Sequence, residues 1–265
     1  MRVSRCAADL SLAAAAFFWG ATFVIVKEAV ARVDVFFFLS QRFLLAAILL
    51  VFICILLRRP ISVRDLRYGA VMGLFLFGCF AFQTSALLYT TATNTAFITG
   101  LYVVLTPLGE SVLFGKKNSP LTALGAGLAL VGLYLLCSGG ISWSFNKGDM
   151  LALVCAAAAT LHIIFTGRYA PRGDIYWMTA VQITVIGLMS LAVATLQGTD
   201  VFVYRGDIRS ALIVCVLFAT VIAFLVQTSM QRFTGAAQTA LILCLEPVFA
   251  AIYAYFAIGE TLGWA

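Results

Sequence analysis

The chain has 265 residues, of which 63% are hydrophobic and only 11% charged, with a mean hydropathy of +1.06. A water-soluble domain is roughly half apolar and about a quarter charged, so this composition excludes a globular protein covered by its own polar surface and makes lipid the main solvent. The net charge of +6 is scattered through short gaps between apolar runs, the usual marking of cytoplasmic loops; nowhere does it form the concentrated basic patch that nucleic-acid binding needs.

A bilayer crossing takes roughly 20 apolar residues, and charges punctuate the chain at about that spacing. Arg2 and Arg5 ahead of the run Leu10–Val26 imitate a signal peptide. The run is long for a leader, no small-residue cleavage site stands out and further spans follow, so it reads as a retained first helix. Val35–Leu57, interrupted only by Arg42, is the second. Tyr68–Gly109 carries no charge over 42 residues, enough for two crossings, with Tyr89–Asn94 as the expected turn. Leu121–Ser138 is the fifth, leaving through Gly139-Gly140; Met150–Gly167, Ile175–Thr199 and Ser210–Gln231 are uncharged; Phe233–Gly259 carries only Glu246. Open strands are excluded because lipid cannot satisfy exposed backbone groups. The expectation is an all-α, polytopic membrane helix bundle with nine helices.

Lys and Arg fix the orientation. With the N-terminus in the cytoplasm, the inner loops hold eleven of the 17 basic residues and the outer loops five, Arg42 lying within a helix. The expected location is a bacterial inner (plasma) membrane with the N-terminus inside. Six of the seven cysteines lie within apolar runs and none forms a CxxC pair. They read as small buried hydrophobes, with neither a disulfide framework nor a metal site.

The chain repeats itself. At an offset of 140, Asp9, Arg32 and Asp34 fall on Asp149, Arg172 and Asp174. Further along the offset is 144: Gln83-Thr84-Ser85 falls on Gln227-Thr228-Ser229, and Asn94-Thr95-Ala96 on Gln238-Thr239-Ala240. A polar triplet repeated inside a span outweighs any number of alanine and leucine matches. The units are 8–138, with five helices, and 149–265. Five is odd, so the second unit enters from the opposite side: two inverted five-helix repeats, an architecture typical of secondary transporters, with the solute site near the midplane between them. The same offset sets Ala265 opposite Leu121, where the fifth helix begins, so this ten-helix plan expects a tenth helix that the given sequence does not contain.

These features resemble the EamA-type transporters of the drug/metabolite transporter superfamily, over nearly the whole chain. The resemblance rests on Phe18-Trp19-Gly20 followed by Phe23, on Gln41-Arg42-Phe43, and on Gln83, Ala86-Leu87, Tyr89, Thr95-Ala96-Phe97, Leu101 and Pro107. In the ninth helix it rests on Leu245-Glu246-Pro247-Val248 and then Gly259-Glu260. Two departures are the missing tenth helix and Gly115-Lys116 where the second half has Gly259-Glu260. The resemblance implies a ten-helix carrier, commonly an exporter of amino acids, other metabolites or toxic compounds; it does not fix the substrate.

Candidate substrate-binding residues follow from the cost of polar groups in a bilayer. A charge at its centre costs about 2.5–3.5 kcal/mol on insertion scales. Glu246 lies mid-span beside Pro247, which frees the carbonyl of Leu243 and favours a kink; it is a cation or proton site or a structural carboxylate. Arg42, about 10 Å into its helix at 1.5 Å per residue, binds an anionic group, pairs with Glu246 or snorkels outward. Glu110, close to Lys116, reads as a loop salt bridge. Gln83 and Gln227 are repeat equivalents, as are Tyr102 and Glu246. His162, the only histidine, matches Thr22, one turn from Trp19; it is a proton relay or a packed histidine, and Trp19 an aromatic wall or a packing residue.

The leading function is a secondary transporter moving a small metabolite or drug-like solute, in the export direction, by alternating access. No cofactor is expected; facilitated exchange and proton coupling through Glu246 or His162 both stay open, as does the oligomeric state. An intramembrane enzyme is disfavoured, since one histidine cannot make an HExxH pair and no serine sits in a GxSxG elbow. The remaining alternative is a structural or partner-binding membrane protein, whose signature is a closed, dry interior with every polar group paired.

Overall fold

In the computed structural model, which describes residues 4–137 and 146–258 apart from 202 and 204, the chain is a bundle of helices. Ser138, Gly139-Gly140, Gly259-Glu260 and the expected start of a tenth helix lie outside the described residues. The helices are α1 (Arg5–Val30), α2 (Val35–Leu56), α3 (Val63–Ala86), α4 (Ala92–Gly100), α5 (Tyr102–Phe114), α6 (Pro120–Cys137), α7 (Lys147–Tyr169), α8 (Ile175–Leu196), α9 (Arg209–Val216), α10 (Ala223–Met230), α11 (Ala236–Leu243) and α12 (Glu246–Ile258). Among the described residues, and taken with their continuations, eight segments are long and apolar enough to cross a bilayer, and α6 is a shorter apolar helix. Large apolar side chains such as Val112, Leu121, Leu196 and Phe256 cover the outside, as a lipid-facing surface requires.

The helices stop where the sequence supplies caps. Asp34 and Asp174 accept backbone N–H groups of the first turns of α2 and α8. Both helices end in the same Schellman turn, with Arg58 and Gly198 in the left-handed conformation and Arg59 N–H and Thr199 N–H donating back to Cys54 and Ala194. Ser62 with Asp65, and Asn146 with Asp149, make capping boxes for α3 and α7. The turn between α3 and α4 lies at 87–91, earlier than the expected Tyr89–Asn94. The Thr91 side chain accepts the Asn94 N–H, which draws Ala92 to Asn94 into the first helical turn.

Three spans are interrupted. One breaks at Leu101, between α4 and α5; another at Cys244 and Leu245, between α11 and α12. These breaks fall 144 residues apart, and so do the starts of the flanking helices, Ala92 with Ala236 and Tyr102 with Glu246. The third interruption is a π-helical turn, Leu217–Ile222, joining α9 to α10.

The halves embrace reciprocally. Helix α1 packs on α10, α11 and α12, while α7 packs on α3, α4 and α5, and α2 lies along α8. Close approach is secured by glycine. Gly69 and Gly73, one turn apart on α3, abut Met178, Val181, Gln182 and Val185 of α8, in the small-xxx-small manner of membrane helices. Gly20 of α1 lies against the backbone of Glu246 and Ala250 in α12. On one rim, Arg59 donates to Asp174 at 2.6 Å, Asp65 accepts the Asp174 N–H, and Trp177 Nε1 donates to the Arg59 carbonyl.

Candidate functional site: a cavity at the helix breaks

Every residue singled out from the sequence as a binding candidate borders one cavity: Trp19, Arg42, Gln83, Tyr102, His162, Gln227 and Glu246. The cavity has a volume of about 90 Å³, several times the about 10–15 Å³ that a single water needs, so it holds several waters or a small solute.

The helix breaks put the key groups there. Glu246 opens α12 directly after the break, with Pro247 at the next position, where a missing N–H costs nothing. Its carboxylate therefore sits beside the positive end of the α12 dipole. It is half-buried and, among the described residues, forms no hydrogen bond or ion pair. Tyr102 opens α5 in the matching position and is buried.

Arg42 neither pairs with Glu246 nor snorkels outward. It is buried, its Nε donates to Thr220 Oγ1 at 2.9 Å and its Nη2 to the Ala219 carbonyl at 3.3 Å. The rings of Phe43 and Phe80 lie 4.9 and 5.0 Å from its guanidinium carbon. Trp19 Nε1 donates to the same Ala219 carbonyl at 2.8 Å. Both residues thus donate to the Ala219 carbonyl within the π-helical turn.

His162 Nε2 lies 3.0 Å from Gln182 Oε1 and 3.3 Å from Thr166 Oγ1; Gln182 Nε2 in turn donates to Thr228. Gln227 Nε2 is 3.4 Å from Gln231 Oε1, whereas Gln227 Oε1 has no partner. Glu110 lies outside this cavity, ion-paired with Lys116 at 2.8 Å.

Sequence reasoning missed the aromatic walls. Phe80 and Phe224 border the cavity with ring centroids 6.0 Å apart, and Trp19 lies 5.1 Å from Phe224. The signal was present, since Phe80 and Phe224 are related by the same 144-residue offset as Gln83 and Gln227. Also missed was the contact between Cys79, on the cavity wall, and Cys155, with sulfur atoms 3.6 Å apart across α3 and α7.

Membrane-length apolar helices, interrupted around a cavity walled largely by apolar side chains and reached by the Glu246 carboxylate, define an integral membrane protein with a site between its helices. A sequence model described as the EamA-like transporter family matches residues 7–138 and again 146–265. An "Uncharacterized transporter" of Archaeoglobus fulgidus is 33% identical over 98% of this chain and 81% of its own length. The "Uncharacterized transporter YyaM" of Bacillus subtilis is 26% identical over 92% of this chain and 84% of its own. A solved structure titled "Crystal structure of protein" superposes with a TM-score of 0.81 at 19% identity, covering 98% of this chain and 92% of that one; at that identity it speaks to the fold alone. The chain belongs to the EamA-like transporter family.

Proposed function

We propose that this membrane transporter carries one small solute at a time in the cavity around Glu246, by alternating access between two inverted repeats. The supporting observation is the convergence of repeat-related residues on one cavity. Gln83 and Gln227, Phe80 and Phe224, and Tyr102 and Glu246 come from opposite halves, and all border it. Discontinuous helices in corresponding positions of two halves are the usual construction of a midplane transport site. The units are residues 8–138 and 149–265, and the five helices of the first reverse the sense in which the second enters. The reciprocal packing of α1 and α7 suits exchange between two mirror conformations.

Export is the direction that the family resemblance implies, and the basic loops set the N-terminus on the cytoplasmic side of a bacterial inner membrane. Proton coupling, where it operates, belongs to Glu246 rather than His162, whose Nε2 is engaged with Gln182. A purely structural protein is disfavoured because its interior polar groups would be paired, whereas Glu246 and Gln227 Oε1 are not. The test is counterflow in proteoliposomes with a panel of labelled amino acids, nucleosides, amines and dyes, with and without a proton gradient. Accumulation of at least one solute by the wild type and not by Glu246→Gln is expected. A folded protein that exchanges none of them would defeat the proposal.

A further inference from the structure

We infer that the protein has a ligand site apart from the cavity at Glu246: a basic cleft at one end of the bundle that takes a phosphate group, supplied by the headgroup of an anionic phospholipid. The cleft lies between the end of α5, the end of α7 and the start of α11, and has a volume of about 330 Å³. Gln238, in the first turn of α11, donates to Asp9 near the start of α1, so this is the end of the bundle that carries the N-terminus.

The charges on its wall do not balance. Lys116, Arg168 and Arg172 face a single carboxylate, Glu110. Lys116 Nζ meets both oxygens of Glu110, at 2.8 and 2.9 Å, which leaves the two arginines unmatched. Among the described residues, the Arg168 guanidinium has no hydrogen bond or ion pair, only the Phe114 ring at 4.2 Å. Arg172 Nη1 donates to the Arg168 carbonyl at 2.7 Å, closing the end of α7; the rest of its five N–H donors have no protein acceptor. The positive end of α11 adds to the surplus. Gly235 precedes that helix without a side-chain cap, Ala236 lines the cleft, and a Cβ on Gly235 would stand 3.8 Å from Lys116 Nζ.

Like charges gathered in one concavity repel, and an anion with several acceptor oxygens relieves them. A phosphate group is such an anion, and the guanidinium fork matches it with paired hydrogen bonds. Location chooses the source. The cleft opens where the spans end, and Phe114 on its wall follows Val112 and Leu113, exposed apolar side chains of the lipid-facing surface of α5. A phospholipid can set its headgroup on the two arginines and its acyl chains along α5, as lipids do in basic pockets between membrane helices. Seated there, it bridges α5 of the first half to α7 and α11 of the second.

The test is native mass spectrometry of the full chain released from nanodiscs of equal parts phosphatidylglycerol and phosphatidylcholine. The wild type should retain phosphatidylglycerol at least tenfold over phosphatidylcholine. Arg168→Gln combined with Arg172→Gln should lower that preference at least fivefold. Arg168→Gln alone, at an exposed position, should lower it severalfold and serves if the double variant does not fold. Arg209→Gln, at the opposite end of the span that leads into α11, should leave it unchanged. Equal retention of the two lipids by folded wild type, or a wild-type preference in the folded Arg168 and Arg172 variants, would overturn the site. Inorganic phosphate, added against chloride at equal ionic strength, separates the two sources. The lipid should stay in place; its displacement by phosphate and not by chloride would overturn the headgroup assignment and give the cleft to a soluble phosphate.

Discussion

Gly20→Ala tests the close approach that holds Glu246 in place. A Cβ built on Gly20 meets the Glu246 carbonyl oxygen, the Ala250 nitrogen at 2.8 Å and the Phe249 Cβ at 2.9 Å. Carbon contacts are comfortable at about 3.5–4.0 Å, and none of these three atoms can rotate away, so α1 and α12 must separate. Overpacking of this kind costs about 1–3 kcal/mol, and a clash with two backbone atoms and a Cβ belongs at the upper end. Replacing a helical glycine returns about 0.5–1 kcal/mol. The net loss is about 2 kcal/mol, or a melting temperature lower by about 4–8 °C at roughly 2–4 °C per kcal/mol for a chain of this size. Gly127→Ala is the control: its Cβ would meet no heavy atom within 4 Å, so it should melt unchanged or slightly higher. Both variants, purified in one detergent, are compared by thermal unfolding followed by size exclusion. If they melt together, the close approach of α1 to α12 is wrong.

Other expectations follow from the same geometry. Arg42→Met removes two charge-assisted donors from the π-helical turn and should cost about 1.5–3 kcal/mol; unfolding of the variant at or above the wild-type temperature would contradict that role. Asp174→Ala loses a cap and the Arg59 partner and should cost about 1–2 kcal/mol. Asp34→Ala loses a single cap bond to the Phe37 N–H and should cost less. Mild oxidation with copper phenanthroline should join Cys79 to Cys155, the two thiols giving up two protons and two electrons to the oxidant; peptide mapping would find the link, and its absence would place α3 and α7 further apart.

The helices were legible because lipid leaves so little freedom: a charge-free run of span length is a helix, although the caps Asp34, Ser62 and Asp174 emerge only from the structure. The cavity was legible to the extent that polar residues inside spans are rare and recur at one offset, which is how Gln83 and Gln227 stood out. Pro247 announced the break before Glu246. By contrast, Phe80 and Phe224 were hidden among 22 phenylalanines, and only their shared offset distinguishes them. Nothing local in Leu217–Ile222 signals a π-helical turn, so the partners of Arg42 and Trp19, which lie 177 and 200 residues away along the chain, could not be read. Gly69 and Gly73 carry a recognisable spacing, but which helix would fill the groove is a tertiary fact.

Access to the cavity from the two sides of the membrane bears most directly on the proposed mechanism. Cys79 lies on its wall, so a variant retaining Cys79 as its only cysteine can report it. The measurement is its labelling by a membrane-impermeant maleimide in vesicles of each orientation. A carrier that alternates predicts labelling from both sides. Labelling from one side alone would contradict alternating access through this cavity.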